Sequence, residues 1–289
     1  MAAPDAVSVV IPALDSVKTL GRCLTGLIAQ EGADRIAETI VVDGGSRDGT
    51  PALARSLGAA VLANQLRHAA AGRQAGLDRA RTPLIAFLDS DCIPLAGWLR
   101  SALAWFDEGV DGVGGPVIGA QSVGAVERFC ADTFTSVMRF GVTARRVIPR
   151  TVGGSLVGGN MMYRASSLRD LGGFDLSIGN YGEDLDLLWR YLAGGSVVIF
   201  EPAMVVTHHF PDSVPDMMRS WYRYGRASSA LASRHLHTPA VDWRIYRLLL
   251  ASAAKAPFAP DPYGLRVLQL AAHVAGKAAG SLHEGVINL

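Results

Sequence analysis

From the N-terminus to about residue 115 the chain alternates short apolar runs with longer amphipathic segments. Val7–Ile11, Thr39–Val42, Ala59–Leu62 and Leu84–Leu88 are brief apolar runs of strand length, and they predict strands. Val17–Gln30, Pro51–Leu57, Ala69–Arg81 and Gly97–Phe106 carry apolar positions at helical spacing and predict helices. Thr50 is a candidate cap for the second helix, with Pro51 at its first position. Strands separated by helices of this length require crossover connections. The expectation is an α/β protein with a mostly parallel sheet flanked by helices. In such sheets ligands bind beyond the C-terminal strand ends. Three of those ends lead into polar loops: Pro12–Ser16, Asp43–Thr50 and Asp89–Pro94.

The middle of the chain changes character. Gly112–Pro116 reads as a glycine-rich strand end, and 123–140 reads as a helix. Arg145, Arg146 and Arg150 crowd an expected loop. Residues 153–160 are dense in glycine, which either lets backbone approach a ligand or simply bends the chain. Glu183–Tyr191 predicts a short helix, and strands follow near Val197–Phe200 and Met204–Thr207. From Val214 onward the pattern is helical, with breaks at Pro239 and at Pro257–Pro262. The expected division is 1–115, 116–213 and a helical C-terminal extension, 214–289.

Composition narrows the classes. The chain has 289 residues, 49% of them hydrophobic, enough for a large core. A net charge of +1 gives no general signal for nucleic acid. The three cysteines, Cys23, Cys92 and Cys130, form neither a disulfide pattern nor a zinc spacing, and they suggest a reducing compartment. There is no signal-peptide pattern and no run of about 18 apolar residues. The expectation is a cytoplasmic protein, with peripheral contact at the inner face of the membrane left open.

Asp89 and Asp91 follow the apolar run Leu84–Leu88 directly. Alternation puts positions i and i+2 on one side of an extended chain. Two carboxylates held there repel each other unless a cation or donors compensate. Mg2+ or Mn2+ is the usual compensator and brings substrate phosphates with it. The bland alternative is a solvated turn.

Several segments then fall into one order: Val9–Asp15, Val42–Thr50, Gly72–Gly76, Asp89–Asp91, Gly158–Arg164, Gly172–Asp175 and Glu183–Asp186. Together they resemble the family 2 glycosyltransferases over roughly residues 6–226. The resemblance implies a GT-A-like (Rossmann-like) fold whose first part binds the nucleotide and whose second part binds the acceptor. It implies transfer of a sugar from a UDP- or GDP-sugar to an acceptor hydroxyl with inversion, aided by Mn2+ or Mg2+. The acceptor class stays open among glycan, lipid and natural product, and a homodimer is also open.

Residue by residue, the resemblance places Pro12, Ala13 and Asp15 near the base and ribose. It makes Asp43 the acceptor for a base N–H, which suits an acceptor-only carboxylate. By itself Asp43 is also an ordinary turn residue. Arg73 matches an arginine that faces the nucleotide or diphosphate, although Gln74 stands where the family carries asparagine. Asp91 is implied as metal ligand, Asp89 as a ligand to ribose or metal-bound water, and Ser90, Gly159 and Asn160 as substrate contacts. His208 or His209 would complete the metal set, with His208 favoured by its spacing to Pro211. Asp184 matches the base that removes the acceptor proton, with Glu183 beside it. The spacing of Asp184, Asp186 and Arg190 equally fits an ion-paired helix start. Arg219, Arg223 and Arg226 lie on one helix face. Diphosphate clamp, anionic-acceptor site, membrane face and plain solvated face all fit that placement. Two other functions fit the chain: a nucleotidyltransferase, which would release pyrophosphate, and a sugar-nucleotide-binding protein without turnover.

Overall fold

The structure, a computed structural model, describes residues 5–120, 124–148, 156–236, 241–258 and 260–289. Arg150 and the glycines at 153 and 154, singled out above, lie outside the described residues, as does Pro239. The chain divides into two compact units, Met1–Ala120 with Thr135–His208, and Gln121–Phe134 with His209–Leu289.

In the first unit, β1 (Val7–Ala13), β2 (Ile36–Asp43), β3 (Ala60–Ala63) and β4 (Leu84–Leu88) are connected by helices α1 (Val17–Ile28), α2 (Thr50–Ser56) and α3 (Ala69–Arg79). The order β3-β2-β1-β4 is parallel throughout, as the alternation predicts. Every residue of β4 is buried, so its sequence reads as an unbroken apolar run. α3 lies close against β1. A Cβ on Gly76 would come within 2.2 Å of Val10 Cγ1, so only glycine fits that crossing.

The rest of the unit supplies β5 (Cys92–Pro94), α4 (Trp98–Phe106), β6 (Gly112–Gly114), β7 (Val117–Gly119), β8 (Arg145–Arg146), β9 (Asn160–Arg164), α6 (Ala165–Asp170), α7 (Glu183–Ala193), β10 (Val198–Phe200) and β11 (Val206–His208); α5 (Ala125–Met138) is shared between the units. The main sheet continues β4-β9-β6-β10-β8, with β9 antiparallel to both neighbours. Its register sets Leu88 opposite Asn160. The chain entering β9 therefore arrives at the edge where Asp89–Asp91 leaves β4. A second sheet, β5-β11-β7, pairs His208 with Cys92.

Two local expectations change, and two strands left no signal. Arg145 and Arg146 form β8, paired with β10, instead of a loop. α2 starts at Thr50 itself, after Gly49 at φ +93°, and Asp48 rather than Thr50 supplies the capping oxygen. β5 and β7 were too short, at three residues each, to leave an alternation in the sequence.

The second unit contains α8 (Val214–His235), α9 (Trp243–Lys255) and α10 (Pro260–Glu284). α8 and α10 touch through glycine. A Cβ on Gly225 would lie 2.2 Å from the His273 carbonyl oxygen, and one on Gly276 would lie 2.0 Å from that of Tyr222. Phe129, Cys130 and Met217 form its buried cluster. Among the described residues, no helix is long and apolar enough to cross a membrane.

Candidate active site

The loops after β1 and β2 are tied together by side chains. Asp43 ends β2, in register with Ala13 of β1. Its Oδ2 accepts from the backbone N–H of Gly45 (2.9 Å) and Ser46 (3.1 Å), and its Oδ1 accepts from Ser46 Oγ. Ser46 Oγ in turn accepts from Asp15 N at 2.8 Å, and Asp15 Oδ1 accepts from Arg47 N at 2.8 Å. Asp15 holds a left-handed backbone, φ +49°, which aspartate tolerates in turns. Asp48 adds a second tie. It accepts from Val17 N at the start of α1 and from Thr50 N and Oγ1 at the start of α2. These bonds hold its carboxyl below the usual range, the Thr50 hydroxyl contributing most. Asp43 thus performs the turn role open to it in sequence, and its remaining lone pairs are still acceptors. Pro12 and Ala13 lie just ahead of this loop pair in β1.

Ser90 joins the third loop to the first, its Oγ donating to Ser16 Oγ at 2.8 Å. Asp89, just before it, meets Arg73. The guanidinium of Arg73 is 3% exposed and donates Nη2–H to Asp89 Oδ1 at 2.6 Å and Nη1–H to Glu183 Oε1. Burial works against the Arg73 charge, but Asp89 and Glu183 more than offset it, and the arginine stays firmly protonated. Burial drives the Glu183 carboxyl up to about 7, with Arg73 opposing and the neighbouring Asp184 charge adding to the rise. Its second oxygen is buried without a hydrogen bond. Burial also raises Asp89, against Arg73.

Asp184 stands in the first turn of α7, half-buried. Its Oδ2 accepts from Gly158 N at 2.7 Å. Gly158 and Gly159 are required by proximity. A Cβ on Gly158 would sit 2.7 Å from Arg73 Nη2, and one on Gly159 2.8 Å from Asp89 Oδ2. The glycines therefore let the chain entering β9 lie directly on the charged cluster.

Asp91 turns to β11. His208 Nε2 lies 3.2 Å from Asp91 Oδ2, and a donor atom of Cys92 completes a group within 4.8 Å. His209 instead faces Glu127, 3.5 Å away. The register of β11 on β5 sets His208, and not His209, opposite Cys92. Aspartate and imidazole together suit Mn2+ better than Mg2+, so the donor set fits a divalent transition metal. Burial and the nearby Asp91 and Asp89 charges push the Cys92 thiol well up.

One expected contact residue has structural partners of its own. Asn160 is fully buried. Its Nδ2 donates to Pro116 O (3.1 Å) and Met204 O (2.6 Å), and its Oδ1 accepts from Trp98 Nε1 (2.7 Å). With its amide hydrogens committed, Asn160 joins the two sheets and has none left to donate to substrate. Arg223 is exposed on α8, in the second unit. Asp186 pairs with Arg190 at 2.8 Å, as the helix-start alternative holds. Gln74 anchors the Gly172–Asp175 segment to α3, its Oε1 accepting from Phe174 N at 2.8 Å. The Arg73–Glu183 pair, the place of Cys92 opposite His208 and the tie of Asp48 to Val17 escaped the sequence, since each depends on contacts between distant segments. The spacing of Asp48 before Thr50-Pro51 was the one local clue.

A parallel sheet with an inserted antiparallel strand, and three polar loops with a carboxylate cluster at its edge, make a GT-A-like fold. Residues 8–172 match the description Glycosyl transferase family 2, and the chain belongs to that family. Among curated relatives, the pre-mycofactocin glycosyltransferase of Mycobacterium tuberculosis is 32% identical over 235 residues, covering 79% of this chain and 48% of the relative. The chain therefore spans about half the length of that protein. Among solved structures, the mannosyltransferase PcManGT of Pyrobaculum calidifontis in complex with GDP-Man and Mn2+ superposes with a TM-score of 0.60 at 18% identity, over 96% of this chain and 89% of that one. Glucosyl-3-phosphoglycerate synthase of Mycobacterium tuberculosis in complex with Mn2+, UDP and glucosyl-3-phosphoglycerate gives 0.57 at 20% identity, over 79% of each chain. These likenesses bear on the fold.

Proposed function

We propose that the chain transfers a sugar from a UDP- or GDP-sugar to an acceptor hydroxyl, with inversion and with a divalent metal bound. One observation carries this reading. Three carboxylates, Asp89, Glu183 and Asp184, gather around a single guanidinium, that of Arg73, and Asp91 adds its charge beside Asp89. Such an excess of negative charge at the strand-end edge calls for a cation. When bound, the ion would neutralise charge on the departing nucleoside diphosphate.

The roles of the side chains follow from where they stand. Asp91 and His208 would hold the metal. Residues 1–115 would carry the nucleotide, with Asp43 accepting from the base and the tied loops at 13–16 and 43–50 forming the pocket wall. Residues 116–213 would carry the acceptor. Asp184 is the base in this proposal, because its carboxylate is half-buried beside the Gly158 backbone while Glu183 is committed to Arg73. Glu183 is a positioning residue: it orients Arg73, and through it Asp89. A cytoplasmic setting belongs to the same reading, with all three cysteines free and buried.

The test is calorimetric titration of UDP- and GDP-sugars with Mn2+, followed by identification of the leaving group. Release of nucleoside diphosphate with sugar transfer supports the reading. Pyrophosphate release would replace it by nucleotidyl transfer, and tight donor binding without turnover by a binding function.

A further inference from the structure

We propose that α9 is an interfacial helix that docks the protein on an anionic lipid bilayer, a property separate from the sugar-transfer site. α9 packs against α10, and Ser252 is its one buried residue. Its outer surface is strongly apolar for a helix in water. Trp243 is 69% exposed, Leu250 71% and Leu248 51%, and Phe258, three residues past the helix end, is 89% exposed. A single exposed leucine is ordinary, whereas this concentration within one short segment marks an interaction surface.

The charges on the same surface indicate what covers it. Trp243, Arg247 and Leu250 follow one another at i, i+4 and i+7; Arg244, Leu248 and Lys255 form the adjacent row. All three cations are exposed. Between Trp243 and Pro260 the sequence contains no acidic residue, and Asp242, just before, is occupied in capping Arg244 N at 3.1 Å. An amphipathic face combining tryptophan, leucine and phenylalanine with arginine and lysine fits the headgroup–acyl boundary of a bilayer carrying negative lipids. A second copy of the chain fits it poorly, since a two-fold contact through these rows would bring arginines and lysine against their own kind. The helix lies on the surface and does not cross it, being too short and too charged.

The experiment is flotation of the full chain with vesicles of phosphatidylcholine alone and of phosphatidylcholine mixed equally with phosphatidylglycerol. Binding to the mixed vesicles, weakened by added salt, is expected. Arg244→Gln combined with Arg247→Gln should lower the partition coefficient about 30-fold, at about 1 kcal/mol per charge. Trp243→Ser should lower it without altering the salt response. These side chains are exposed, so melting temperature and Mn2+-dependent UDP binding should stay unchanged in both variants. Equal binding to neutral and anionic vesicles, no binding to either, or a stable dimer in light scattering that Trp243→Ser dissolves would each overturn the proposal. Capture by an acidic protein with no vesicle binding would overturn it as well.

Discussion

Arg73 donates to Asp89 and Glu183 at once, joining partners 16 and 110 positions away in sequence through one buried guanidinium. The bond to Glu183 fastens α3 to α7, and the bond to Asp89 fixes the start of the acidic loop. Removing one member of a buried ion pair strands the other in low dielectric. Arg73→Met is therefore expected to destabilise the protein by about 3–5 kcal/mol in urea unfolding. Adding Glu183→Gln should recover part of the loss, because the stranded charge is gone. Strict additivity of the two changes would show that they do not act as a pair.

The proposed metal site gives a contrast between neighbouring histidines. His208→Ala and Asp91→Ala should each weaken Mn2+-dependent nucleotide binding by at least about tenfold, a loss of about 1.4 kcal/mol. His209→Ala should leave it unchanged, since His209 faces Glu127. Calorimetry with Mn2+ and UDP on the three variants decides the assignment, and an effect confined to His209 would reverse it.

Glu183 is expected to make stability depend on pH. Its folded-state value, about 7, lies above the ordinary 4.5. The folded form therefore keeps a proton that the unfolded chain has already lost. The stabilisation is complete below about 4.5 and fades as pH rises toward about 7, by about 1.4 kcal/mol for each pH unit crossed. Thermal denaturation of metal-free protein between those limits should show the decline, and Glu183→Gln should flatten it. An identical slope in the variant would assign the titration elsewhere.

Asp184→Asn preserves shape and removes basicity. Transfer to the acceptor should fall about 10²–10⁴-fold, the usual range for general-base loss. Donor affinity should barely change. Rates near wild type, or a product that keeps the anomeric configuration of the donor, would remove Asp184 from the role of base.

The parallel half of the sheet was legible because β1, β2 and β4 are buried apolar runs set apart by amphipathic helices, each a local signal. The loops after them were legible for the same reason. Their interlocking through Asp43, Ser46, Asp15 and Asp48 was not, because it arises only when β1 and β2 align side by side. Asn160 illustrates the opposite case. Its place beside two glycines suggests a ligand contact, yet the antiparallel β9 turns its amide into the junction of the sheets. Spacing to Pro211 favours His208 over His209 in the sequence, and the pairing of β11 with β5 sets His208 opposite Cys92 while His209 faces Glu127.

That pairing has a consequence for how the protein fails. β5, β7 and β11 are three residues long each, while the strands bearing Asp43 and Asp89 belong to the eight-stranded sheet. A ladder of so few hydrogen bonds opens locally at lower cost than the sheet beside it. When it opens, His208 leaves Asp91 while the loops after β1 and β2 keep their shape. On warming, the protein should lose its grip on metal before it loses its fold, and bound metal should act as a clasp on the smaller sheet.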